Sequence, residues 1–124
     1  MIYPLIFALG ALIYVALELI WRGRSHWTMA LAGGVCALLL FGLYRRFFEL
    51  PLPVLCLMGG LVITAVEFIT GFIVNLTMDW KVWDYSNQSG NLYGQVCPAY
   101  SLMWVLLSAP AYLLLDFVYT LTSA

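Results

Sequence analysis

The chain has 124 residues, of which 65% are hydrophobic and 9% charged, and carries a net charge of −1. A water-soluble domain needs about a quarter of its residues charged, so this composition excludes a soluble fold and places the chain in a bilayer. The near-neutral balance leaves no basic patch, which removes nucleic acid from the partners and leaves the lipid itself.

Four stretches are long enough to cross a hydrocarbon core at ~20 residues each. They are 2–21, 27–44, 53–76 and 96–121, with a polar loop at 77–95. The predicted fold is all-α, a membrane bundle of four transmembrane helices forming one domain over residues 1–124. No basic residue precedes the apolar core of the first stretch and no small-x-small cleavage site follows it, so it is expected to stay as a helix. Along it Phe7, Ala11, Tyr14, Glu18 and Trp21/Arg22 share one helical face. Glu18 stands four residues before Arg22 with the acid N-terminal, the better order for a helical ion pair, and a salt bridge at the membrane surface is the plain reading of Glu18. The following loop brings Arg22, Arg24 and His26 together, but one histidine without a second ligand nearby does not make a metal site.

The second stretch ends in Arg45 and Arg46, and the third contains Glu67 at its centre. An ionisable side chain at that depth costs several kcal/mol unless it is paired, hydrated or protonated, which makes Glu67 the residue hardest to explain as packing. Gly60, Thr64, Glu67, Thr70/Gly71 and Asn75 form a stripe of small and polar residues around it. Small residues let backbones approach and hydroxyls offer bonds, so such a stripe belongs at a helix–helix contact and not against lipid.

Trp80, Trp83, Tyr85 and Tyr93 in the 77–95 loop suit the bilayer interface. Asp84 and Gln95 flank a Ser/Asn/Gly segment able to fold back over the bundle as a lid or re-entrant turn. In the fourth stretch Pro98 fits a first helical turn, and Pro110 must kink the helix or release a carbonyl. Cys97, Ser101, Trp104 and Ser108 fall on one face that can meet Glu67, while Asp116 comes to the depth of Arg45, Arg46 and Glu49, where an ion pair or headgroup exposure accounts for it. Cys36, Cys56 and Cys97 show no paired spacing and read as small buried hydrophobes.

Ala16-Leu17-Glu18-Leu19-Ile20 matches Ala65-Val66-Glu67-Phe68-Ile69 in pattern, and Gly33-Gly34-Val35-Cys36 matches Gly94-Gln95-Val96-Cys97. Taken as a duplication, these matches make two tandem helical hairpins related by a pseudo-two-fold axis along the membrane normal, with Glu18 opposite Glu67. Chance agreement between apolar segments is the alternative. Loop charges divide almost evenly, Arg45 and Arg46 on one side against Arg22, Arg24 and Lys81 on the other, so either orientation, or insertion both ways round, is compatible.

Glu67 followed by Thr70-Gly71, then Trp83-Asp84-Tyr85-Ser86, Asn91-Leu92, Gly94-Gln95 and a last helix with Trp104, resembles the bacterial membrane proteins of the Putative ABC-transporter type IV family. The resemblance is close over residues 60–105 and looser in the first half, through Glu18 and Arg22-Gly23; Arg24-Ser-His-Trp-Thr-Met departs from the family pattern. It implies a small polytopic protein of the bacterial inner membrane with a glutamate in an early helix and another before the Trp-Asp-Tyr motif. With no GxxxxGK[ST] motif, such a chain can only be the membrane part of an ABC system.

Three functions fit. In the first, a transporter or permease component binds a proton or cationic substrate with Glu67, Glu18, Asp84, Trp83, Tyr85, Thr70, Arg22 and Gln95 as candidate site residues, without cofactor or metal and with a homodimer supplying further walls. In the second, an accessory subunit of a larger membrane complex uses Glu67 to pair with a partner's cation. In the third, a membrane-embedded enzyme acts on a lipid, although no nucleophile–base pair is evident.

Overall fold

In hydrocarbon a backbone must satisfy its own hydrogen bonds, and the apolar stretches do so as helices. The structure, a computed structural model, describes residues 2–23, 26–77 and 87–123. Helix α1 spans Ile2–Arg22, α2 Trp27–Phe47, α3 Leu52–Gly71 and α4 Pro98–Ser123, and a π-helical turn over Phe72–Thr77 continues α3. All four helices are long and apolar enough to cross a membrane, and the chain is an integral membrane protein.

Local chemistry sets the ends. Gly23 adopts φ +74° and its N–H returns to the Leu19 carbonyl at 3.0 Å, the left-handed cap that stops a helix. His26 is the N-cap of α2, its Nδ1 accepting from the Thr28 N–H at 3.2 Å, so this histidine serves as a cap. Pro51 and Pro53 open α3, and Pro98 opens α4 as its position predicts. Helix α2 runs to Phe47, past the expected end at residue 44, and carries Arg45 and Arg46 in its last turn, where cations complement the exposed carbonyls.

The chain forms two antiparallel hairpins, α1 with α2 and α3 with α4, which meet mainly through α2 and α3. Glycine sets both spacings. A Cβ on Gly33 would run into the Tyr14 Cβ and lie 2.7 Å from the Gly10 carbonyl oxygen, and one on Gly60 would run into Val105. Phe7 lies over Gly34, and Gly59 faces Ser108, Tyr112 and Leu40. Such contacts replace the hydrophobic drive that is absent between helices in lipid. Cys36, Cys56 and Cys97 are free and buried, whereas Leu12, Ile20, Leu61, Leu106 and Leu113 point outward as the lipid-facing belt.

The repeat is supported in one half only. Glu18 and Glu67 both lie near the C-terminal ends of the first helices of their hairpins, but Gly33–Cys36 sits inside α2 while Gly94–Cys97 precedes α4. That second match is a composition coincidence, because equivalent residues cannot occupy both a helix interior and a loop.

Candidate functional site

Glu67 is 2% exposed and faces the seam between the hairpins. Trp104 Nε1 of α4 donates to its Oε1 at 2.8 Å, and the Tyr14 hydroxyl of α1 donates to its Oε2 at 3.2 Å. The two aromatic rings lie beside each other, centroids 5.5 Å apart. A carboxyl on α3 is thereby held by both hairpins. The two donors are chemically unequal. An indole N–H can only donate, whereas a phenol donates or accepts. A proton arriving on the carboxyl therefore has a seat at Oε2, with Tyr14 turning from donor to acceptor, while Oε1 stays an acceptor under Trp104.

The predicted stripes meet as their spacing implies. Thr64 donates to Ser101 at 2.9 Å across the α3–α4 contact, one turn from Glu67. Ser108, fully buried, donates to the Trp104 carbonyl at 2.8 Å, and Tyr112 ties to the Leu55 carbonyl at 2.7 Å. Thr70 is the exception: it lines a second apolar groove, about 630 Å³, with Thr28, Leu31 and Val66 between α2 and α3. Thr64 and Thr70 stand three residues to either side of Glu67, so at 3.6 residues per turn they diverge by roughly 120° around the helix, Thr64 toward α4 and Thr70 toward α2.

Gln95 belongs to another feature. It is buried and accepts from Asn75 at 2.8 Å, while its own amide donates to the Tyr93 carbonyl at 2.6 Å. The π turn that carries Asn75 is a device often found where a helix must turn a side chain out of α register. Residues 91–96 close into a tight turn, with Gly94 N–H on Asn91 Oδ1 at 2.9 Å and Tyr93 at φ 55°. The end of the polar loop is thus pinned onto the bundle, and Val96 and Cys97 are buried with it.

Glu18 is buried one helical turn past Tyr14 on the same α1 face. The backbone of Arg22 closes α1, while the Glu18–Arg22 salt bridge depends on a side chain outside the described set. Trp83, Asp84 and Tyr85 lie outside the described residues. Asp116 accepts from Tyr44 at 2.6 Å, and the Arg45 guanidinium stacks over the Tyr119 ring at 4.1 Å. Polar groups at that end of the bundle are thus engaged by aromatic partners. Among the described residues no group of three or more His, Cys, Asp and Glu side chains is placed to hold a metal.

Spacing alone did not disclose an apolar cleft of about 270 Å³ between α1 and α4. Those two helices touch little, and the gap is walled by Ile13, Leu17, Leu107 and Leu114, floored by Cys36 and Ala37 of α2, and bounded by Tyr14 and Trp104. The helical stripes gave the direction in which each side chain points, but the width of a gap depends on how all four helices pack.

No curated protein and no solved structure matches the chain. One family does: the chain belongs to the family described as Putative ABC-transporter type IV, whose sequence model matches residues 5–123.

Proposed function

We propose that this protein is the membrane-embedded part of a transporter or permease, in the bacterial inner membrane, and that Glu67 binds a proton or a cationic substrate. The observation that carries the reading is the double attachment of Glu67, to Tyr14 of one hairpin and to Trp104 of the other. Any change in the charge of that carboxyl alters a bond to each hairpin, so binding and the relative placement of the hairpins are coupled at a single group. Tyr14 and Trp104 suit this task, because as neutral donors they stabilise a carboxylate without themselves cancelling the charge that a cation or proton is to meet. Family membership supports the transport class. Four helices offer few walls for a path, so a second copy or a partner protein completes it.

The test is flux into liposomes containing the purified protein, with a pH-sensitive dye for protons and an ion-selective readout for small cations. Protein-dependent flux is expected, and Glu67→Gln should remove it while leaving the protein folded. Equal flux through both proteins would end this reading.

A further inference from the structure

Resting on the reading of Glu67 as the site of a proton or cation transporter, we infer that Asp116 is a second proton site of the same path, serving the membrane face on the side of the 48–51 turn. Tyr44 of α2 donates its hydroxyl to Asp116 Oδ1 of α4 at 2.6 Å, as Tyr14 of α1 donates to Glu67 Oε2 of α3 at 3.2 Å. In both pairs the first hairpin supplies a phenol and the second a carboxyl. The two pairs lie at opposite depths. Asp116 comes twelve residues after Trp104 on α4, and at 1.5 Å per residue that places it about 18 Å further along the bundle than the Glu67 contact. Each carboxyl is thus a contact between the hairpins, one toward either end of their seam.

The chemistry at Asp116 fits a proton. A bond of 2.6 Å is the length at which a hydroxyl donates to an ionised carboxylate, and a phenol can turn to accept once the acid is protonated. The charged and titratable groups around the pair are Arg45 of α2 and Tyr112 and Tyr119 of α4. Arg45 lays its guanidinium over the Tyr119 ring at 4.1 Å, so the bonded partner of the carboxyl is a neutral one. Asp116 is half-buried and can exchange with water at its own face, whereas Glu67 is enclosed and needs an intermediary. Between them Ser108 and Tyr112 stand at four-residue steps from Trp104 to Asp116, on one side of α4. Both are buried, and polar groups inside a membrane bundle are kept at a cost that leucine would avoid. A Cβ on Gly59 would lie 2.6 Å from Ser108 Oγ and 2.8 Å from the Tyr112 hydroxyl oxygen. The two oxygens are therefore within about 5.4 Å of each other, a gap that one water spans with two ordinary bonds. For each proton passed inward, one O–H bond breaks at Asp116 and one forms at Glu67 Oε2, with Tyr44 returning to donor as Tyr14 becomes acceptor.

An asparagine at this position keeps an oxygen for Tyr44 and loses the proton site, so Asp116→Asn separates a tie between helices from a step in transport. The experiment measures proton flux into liposomes and infrared spectra of the same purified full chain. Asp116→Asn should lower flux about tenfold or more, Asp116→Glu should keep it, and both should unfold at the wild-type midpoint. In difference spectra between about pH 8 and about pH 3, a span that covers ordinary carboxyl titration, the wild type should show a carboxylic C=O band that is missing in Asp116→Asn. The band that Glu67→Gln removes should remain in that variant. Wild-type flux in Asp116→Asn would overturn the second site, as would the absence of any carboxylic band that depends on Asp116. Flux lost in both the Asn and Glu variants together with a lowered midpoint would make Asp116 a tie between helices and nothing more. If Glu67→Gln abolishes flux and Asp116→Asn does not, Glu67 stands and the second site is refuted. If Glu67→Gln leaves flux intact, the underlying reading fails first, and the shared path with it.

Discussion

Replacing Trp104 by Phe keeps the ring against Tyr14 and removes the N–H that Glu67 Oε1 accepts at 2.8 Å. Taking one donor from a buried carboxyl costs about 1–3 kcal/mol, and denaturation in mixed detergent micelles should show a loss of that size for Trp104→Phe. Tyr14→Phe should separate stability from transport. Its bond at 3.2 Å is the longer one, so the expected stability loss is about 1 kcal/mol or less. Proton flux should fall about tenfold or more, because Phe cannot accept from a proton on Oε2; flux that tracks stability in both variants would show that Tyr14 only packs. Glu67 was legible in the sequence as a charge in an apolar run, and Tyr14 and Trp104 as members of the right faces. Their bonds to it were not legible, since helical spacing orders residues around one axis and says nothing of how high on a neighbouring helix the partner sits. Thr70, placed on the Glu67 stripe by helical spacing, lines the groove between α2 and α3, because a stripe drawn on one helix does not say which neighbour each of its edges meets.

At the scale of helices, close approach at Gly33 sets where Tyr14 stands. Gly33→Ala would place a methyl 2.7 Å from the Gly10 carbonyl and against the Tyr14 Cβ, with no flexible side-chain end to give way. The hairpin must open, which should cost about 1–3 kcal/mol, and flux should drop as Tyr14 leaves Glu67. Gly42 lies on the same helix, and a methyl added there would have nothing within 4 Å, so Gly42→Ala should be neutral or stabilise by up to about 1 kcal/mol. Equal unfolding midpoints for the two variants would argue against glycine-set packing. The four spans were plain from apolar length and the start of α4 from Pro98, whereas the caps at His26 and Pro51 emerge only in the folded chain. The π turn at the end of α3 was not plain, because a hydrophobic run looks the same in either helix type, and the bond that Asn75 makes from it to Gln95 joins segments 20 residues apart in sequence.

For the whole molecule, the hairpin plan makes orientation a matter of a few charges. The N-terminus, the 48–51 turn and the C-terminus share one side of a bundle of four spans. Arg45 and Arg46 close to that side stand against Arg22, Arg24 and Lys81 near the other, and orientation follows the excess of Lys and Arg in such short loops, with acidic residues counting little. Near balance means that two added cations should decide the outcome. Glu49 and Leu50 lie in the turn after α2, outside the spans, and Leu50 is 38% exposed, so both can become Lys without disturbing the seam that holds Glu67. With a C-terminal reporter enzyme active on only one face of the membrane, Glu49→Lys with Leu50→Lys, which turns two cations against three into four against three, should shift the C-terminus toward the cytoplasm. Arg45→Gln with Arg46→Gln should move it the opposite way. Reporter signals that stay the same in both variants would show that the polar loop or a partner chain, and not the charge balance, fixes which face of the membrane Glu67 answers to.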